Sequence, residues 1–120
     1  MSRVYQSPFA ERYSSKEMLY TFSHDRRFRV WRELWIVLAE AERKLGLPIS
    51  AAQIRELKST ADRIDYAAVR RYEERLKHDV MAHIRAWGDR CPKARGIIHL
   101  GATSCYVTDN TDLMLFRESL

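Results

Sequence analysis

Residues 25–48, DRRFRVWRELWIVLAEAERKLGLP, decide the fold. Phe28, Trp31, Trp35, Leu38 and Leu45 recur at helical spacing, while Arg27, Arg32, Glu33, Glu40 and Lys44 fall largely off that stripe. The pattern predicts one long helix from about Arg26 to Leu45, capped by Asp25. Gly46 and Pro48 stop it, because glycine accepts the left-handed turn at a helix end and proline has no amide hydrogen to carry the helix on.

Downstream, Ser50-Ala51-Ala52-Gln53 has the form of a capping box and opens a short helix to about Thr60, with Ile54 and Leu57 inward. Asp65 is placed to cap a third helix running through to about Trp87, on a stripe of Val69, Tyr72, Leu76, Val80, Ile84 and Trp87. Gly88, Pro92 and Gly96 mark a loop, in which Ile97-Ile98-His99-Leu100 is the one candidate strand. Thr108 or Asp109 suits the cap of a last helix, with Leu113, Phe116 and Leu120 spaced for burial. That helix has no stop signal at Leu120, so the chain reads as ending within a longer helix. Upstream, Pro8 and several serines predict irregular chain with one short helical turn. The fold class is all-α, in a single domain over residues 1–120.

Composition agrees with a globular chain: 46% of residues are apolar and 31% charged. No run of eighteen apolar residues exists to span a membrane. Met1 to Pro8 lacks the apolar stretch of a secretory signal, which makes the cytoplasm the expected location. Cys91 and Cys105 form no C-x-x-C pair and read as reduced thiols. Lys and Arg exceed Asp and Glu by 21 to 16. The balance suits an anionic ligand or nucleic acid, but the basic residues interleave with acidic ones along each helix instead of forming a stripe. A nucleic-acid partner therefore ranks below the alternative of a free-standing helical interaction module.

Three groups of residues carry candidate chemistry. The first is His78-Asp79-Val80-Met81-Ala82-His83. On a continuous helix His78 lies roughly 200° from Leu76, on the face opposite the apolar stripe, and His83 lies four residues beyond Asp79, within its reach. A carboxylate there can fix an imidazole's tautomer and raise its pKa. His78 and His83 diverge by roughly 140° and do not share a metal ion easily, and no metal is expected. Pattern alone favours a solvated His78 and a hydrogen-bonded structural His83. The second is Gly96-Ile97-Ile98-His99-Leu100-Gly101-Ala102-Thr103-Ser104, whose amides and hydroxyls can hold a carboxylate or phosphate. It is neither a P-loop nor a dinucleotide fingerprint, and an ordinary turn with local hydroxyl bonds reads from it as well. Thr103 and Ser104 are expected in an ordered, exposed loop. The third is Arg12-Tyr13, a guanidinium beside a phenol, suited to phosphate, though on its own it reads first as a solvated Arg beside a packing Tyr. Trp31 and Trp35 read as core.

Taken in order, these segments resemble the first domain of the adenylosuccinate lyases, in the fumarase and aspartase superfamily. The matching stretches are Ser7-Pro8, Arg12-Tyr13, residues 28–35 (FRVWRELW), Leu38 to Glu42, and Leu45 to Ile49. They continue with His78 to His83, Cys91 to Val107, and Asp109 to Leu113. The last two blocks are specific, and their form is similar to the animal-type branch. The resemblance implies a small helical N-terminal domain whose last helix continues into a central helical bundle. It implies cleavage of adenylosuccinate, and of a succinylated aminoimidazole carboxamide ribotide, by β-elimination of fumarate. By the same resemblance Arg12 and Tyr13 bind the nucleotide end of the substrate, Lys77, His78 and Asp79 line its site, and Thr103 and Ser104 hold the succinyl carboxylate. His99 matches a histidine near the phosphate. The general acid, a histidine, and the base, a serine, belong to the central domain, so none of these 120 residues is expected to carry the proton transfers. Sites in the family draw on three subunits of a homotetramer, and no cofactor is implied.

Overall fold

The computed structural model describes residues 7–120, and among them every regular element is helical. The first six residues lie outside this range. A π-helical turn at Phe9–Tyr13 precedes α1 (Lys16–Thr21), α2 (His24–Lys44), α3 (Ala51–Thr60), α4 (Tyr66–Leu76), α5 (Asp79–Gly88) and α6 (Ser104–Ser119). The amino-terminal segment is thus more helical than its composition predicts. Ser15 supplies the missing signal, its hydroxyl accepting from the Met18 amide at 3.1 Å to start α1. Ile97 to Leu100 fold as turns and not as a strand.

Helix α2 is the spine. Its cap is Ser23, whose hydroxyl accepts from Arg26 N–H at 3.2 Å; Asp25, expected as the cap, is the second residue of the helix and pairs with Arg29 at 2.9 Å. At the other end Gly46 takes φ +96°, with Gly46 N–H on Arg43 O and Leu47 N–H on Glu42 O, each at 3.1 Å. This is the paired-bond ending that a C-terminal glycine permits. The Ser50 and Gln53 capping box forms as its spacing predicts, with reciprocal bonds of 3.1 and 2.9 Å, and Asp65 caps α4.

The core gathers Trp31, Trp35 and Ala39 of α2, Ile54 and Leu57 of α3, Val80, Ile84 and Trp87 of α5, and Val107 of α6. Two residues break the expected stripe of α2. Leu45 is 81% exposed, while Arg32 is 2% exposed. The Arg32 guanidinium lies 4.8 Å from the Trp87 ring centroid and donates to Thr60 O at 2.9 Å and Arg63 O at 2.7 Å. A cation here satisfies carbonyls that the end of α3 leaves free, which offsets the cost of burying it. Burial still pulls its pKa down to about 10.

The largest departure from the sequence reading is the third helix. It does not run from residue 66 to 87; it breaks at Lys77 and His78, and α4 and α5 pack against each other through Ala68, Val69, Ala82 and Ala86. The apolar stripe ran across the break without a visible stop. The last helix also differs. It begins at Ser104 and not after Thr108, and it turns Val107, Thr111 and Leu115 inward. Leu113, Phe116 and Leu120 face outward, at 67%, 56% and 103% exposure.

Candidate functional site

The break between α4 and α5 builds the site. Lys77 adopts φ +56° and ψ +33°, the left-handed conformation, and its amide closes α4 on Glu73 O at 2.8 Å. A residue with a Cβ occupies this region at a cost, and its occurrence next to candidate site residues marks a constraint. His78 is then extended, and its side chain becomes the N-cap of α5: Nδ1 accepts from the Met81 amide at 3.2 Å. Nδ1 is thereby used as an acceptor, so the neutral ring carries its proton on Nε2.

Nε2 of His78 lies 3.3 Å from Oγ of Ser104, the first residue of α6. With the tautomer fixed, His78 donates and Ser104 accepts, over a long and therefore weak hydrogen bond. The hydroxyl proton of Ser104 remains available to a ligand. Among the six α-helices described, side chains cap five: Ser15, Ser23, Ser50, Asp65 and His78. Helix α6 differs, because Thr103 occupies its N-cap position without a side-chain bond. Its first amides and the Thr103 hydroxyl, with the positive end of the helix dipole behind them, are directed at whatever meets this end.

His99 completes the group from the loop. Its φ is +66°, and its Nδ1 accepts from the indole N–H of Trp35 at 2.8 Å. Burial, and next the proximity of His78, hold its pKa below the ordinary histidine value. Periodicity assigned Trp35 to the core, where it is; nothing in the sequence showed that its N–H would end on a histidine.

His78, Ser104 and His99 are therefore brought together, with Thr103 beside them and Lys77 and Asp79 flanking His78. Thr103 is exposed and extended just before α6, as expected, whereas Ser104 is half-buried and is the first residue of the helix instead of part of the loop. Asp79 Oδ1 accepts from the Val80 amide at 2.8 Å and stands 4.0 Å from His78 Nδ1. The expected pairing of Asp79 with His83 is not formed. His83 instead packs against Phe28 at a tilt of 37°, ring centroids 4.0 Å apart, and edge-on to Trp31 at 5.1 Å. At 4% exposure, burial and then Arg32 push its pKa down to about 4, and it is a neutral core residue. Arg12 and Tyr13 lie on the π-helical turn, exposed, and among the described residues make no hydrogen bond to this group.

The group forms an open face. A cavity of about 540 Å³ lies elsewhere, lined by Tyr72, Met81, Ile84, Arg85 and Arg95 among others, and one of about 290 Å³ is lined by residues including Phe28, Tyr66 and His83. Neither is lined by His78, His99 or Ser104. Among the described residues no three His, Cys, Asp or Glu side chains group as metal ligands, and no helix is long and apolar enough to cross a membrane.

The chain matches no family model. Individual relatives are nonetheless close. It is 46% identical over 116 residues to an adenylosuccinate lyase of Schistosoma mansoni, covering 97% of this chain and 24% of that protein. It is 48% identical over 120 residues to the enzyme of that name from Saccharomyces cerevisiae, covering 96% of this chain and 24% of the relative. The Caenorhabditis briggsae protein is 48% identical over 118 residues, with 97% and 25% covered. The chain thus spans about a quarter of the length of the curated relatives it matches, corresponding to their N-terminal region.

Proposed function

Over the region it spans, this chain belongs to the adenylosuccinate lyase family, and we propose that it supplies one wall of the active site of such a lyase. The substrates are adenylosuccinate, giving AMP and fumarate, and the succinylated aminoimidazole carboxamide ribotide, giving its carboxamide and fumarate. Elimination removes a proton next to a succinyl carboxylate, so negative charge builds on that carboxylate before the carbon–nitrogen bond breaks. A wall that helps must donate hydrogen bonds where this charge develops.

The observation that carries the reading is the meeting of His78 and Ser104 at the uncapped start of α6. His78, with its tautomer set by the Met81 amide, orients Ser104. The free hydroxyl proton of Ser104, the Thr103 hydroxyl and the first amides of α6 receive the carboxylate. His99 serves the phosphate, Arg12 and Tyr13 the nucleotide end, and Lys77 and Asp79 line the site beside His78. The open geometry of this face fits a site closed by other domains and other subunits, in a cytoplasmic homotetramer whose central bundle brings the acid and the base.

A chimera tests this. The matching quarter of the Saccharomyces cerevisiae enzyme is replaced by this chain, and fumarate release from adenylosuccinate is followed. Turnover should persist. Ser104→Ala should lower kcat/KM by roughly 10²–10³-fold, as loss of one donor to developing charge does. A folded chimera that turns over, yet is indifferent to both His78→Ala and Ser104→Ala, would remove this face from the active site.

A further inference from the structure

Two histidines of the face are pinned in the same way, each by an N–H directed at Nδ1. For His78 the donor is the Met81 amide at 3.2 Å. For His99 it is the indole of Trp35, a residue 1% exposed and rooted in the middle of α2. We propose that Trp35 is a positioning residue, which holds His99 as the neutral Nε2–H tautomer so that the ring meets a substrate oxygen as a hydrogen-bond donor and not as a base. The proposal rests on the lyase reading for its substrate, but the tautomer itself stands apart from that reading.

The chemistry follows from what each alternative would cost. A buried indole N–H without an acceptor costs free energy. Trp87 finds one in Thr60 Oγ1 at 2.9 Å, whereas Trp31 Nε1 has no partner among the described residues. Trp35 finds a titratable ring instead. To protonate Nδ1 of His99 the chain must give up this 2.8 Å bond and strand the indole N–H inside the core. Burial first, and then the neighbouring His78, hold the pKa of His99 below the ordinary histidine value.

The ring is also held mechanically. The His99 backbone sits at φ +66°, fixed by Ala102 N–H on its carbonyl at 3.1 Å. Its imidazole stands edge-on to Trp35, interplanar angle 85° and centroids 5.9 Å apart. Rotation about the side-chain bonds would break both the edge-on contact and the hydrogen bond. With Nδ1 occupied, the proton resides on Nε2, at the far side of the ring. The face then offers neutral N–H and O–H donors, which strengthen with developing charge, in place of a fixed cation.

The test is a long-range proton–nitrogen correlation spectrum of the 120-residue chain at neutral pH, with a search for coupling across the Trp35–His99 hydrogen bond. The expected result is one tautomer at His99, Nδ1 unprotonated and Nε2 protonated, coupled to the Trp35 indole. Protonation at Nδ1, or averaging between the two forms in the unsubstituted chain, overturns the proposal without need of a variant. Trp35→Phe keeps a ring in the core and removes the N–H, so it should abolish the single-tautomer signature; a folded variant with an unchanged His99 signature also overturns it. In the yeast chimera the same substitution should lower kcat/KM roughly tenfold, the factor of one orienting hydrogen bond. An active chimera unaffected by Trp35→Phe denies the positioning role. A chimera inactive before any substitution counts against the lyase reading alone, and the spectrum still decides the tautomer.

Discussion

His83 shows what burial does to one titratable side chain. It is wedged against Phe28 and Trp31 at 4% exposure, and its pKa falls from 6.5 to about 4. Between those values the unfolded chain binds a proton that the folded chain refuses, so stability must fall as pH drops through this window. The full loss by about pH 4 is roughly 3 kcal/mol, because each tenfold drop in proton affinity is worth about 1.4 kcal/mol. We expect urea midpoints of the chain to fall steadily between pH 6.5 and 4. His83→Leu keeps the volume and removes the proton site, so the same series should be flatter by about that amount. Equal slopes for both chains would place His83 outside the core.

At the scale of the element, the break at Lys77 and the face of α6 each make a prediction. A left-handed Lys costs what Gly does not, so Lys77→Gly should raise stability by roughly 0.5–1 kcal/mol. In the uninterrupted helix that the apolar stripe suggested, the same change would cost about 1 kcal/mol. The sign, read from thermal melts, separates the two geometries. On α6, Leu115 is 3% exposed and Leu113 is 67% exposed. Leu115→Ala should therefore cost about 2–4 kcal/mol and Leu113→Ser less than about 0.5 kcal/mol. The reverse order would restore the inward face that Leu113, Phe116 and Leu120 suggested on spacing alone. That reading failed because Val107, Thr111 and Leu115 share the same four-residue repeat, and spacing does not rank two stripes on one helix.

The whole molecule is elongated, with a radius of gyration of 16.0 Å and extents of 50 × 34 × 24 Å. A compact chain of this length would have a radius near ~14 Å. Leu19, Tyr20 and Phe22 around α1 and Leu113, Phe116 and Leu120 at the far end of the chain are all exposed, and the His78 face stands open. On the lyase reading, the proton donor and acceptor come from outside these residues. The purified 120-residue chain should then release no fumarate from adenylosuccinate, while its chimera with the yeast enzyme does. Fumarate release by the chain alone would mean that the acid and base lie within it.

Helix class, the long α2 with its Gly46 stop, the Ser50 box and the Asp65 cap were all legible in the residues, because each depends on neighbours within about four positions. The family resemblance was legible too, and relatives named adenylosuccinate lyase match the chain over 96–97% of its length. What only the tertiary structure decided are the long-range choices. Local pattern favours helix at residue 77, yet the gain from packing α4 on α5 turns the chain there. Arg32 reads as a surface charge, yet the free carbonyls after α3 draw it inside. Trp35 and His99 are 64 residues apart, and His78 and Ser104 are 26 apart; their hydrogen bonds exist only once the helices have packed. No local period records such a distance, since the energy that fixes it belongs to the assembled core.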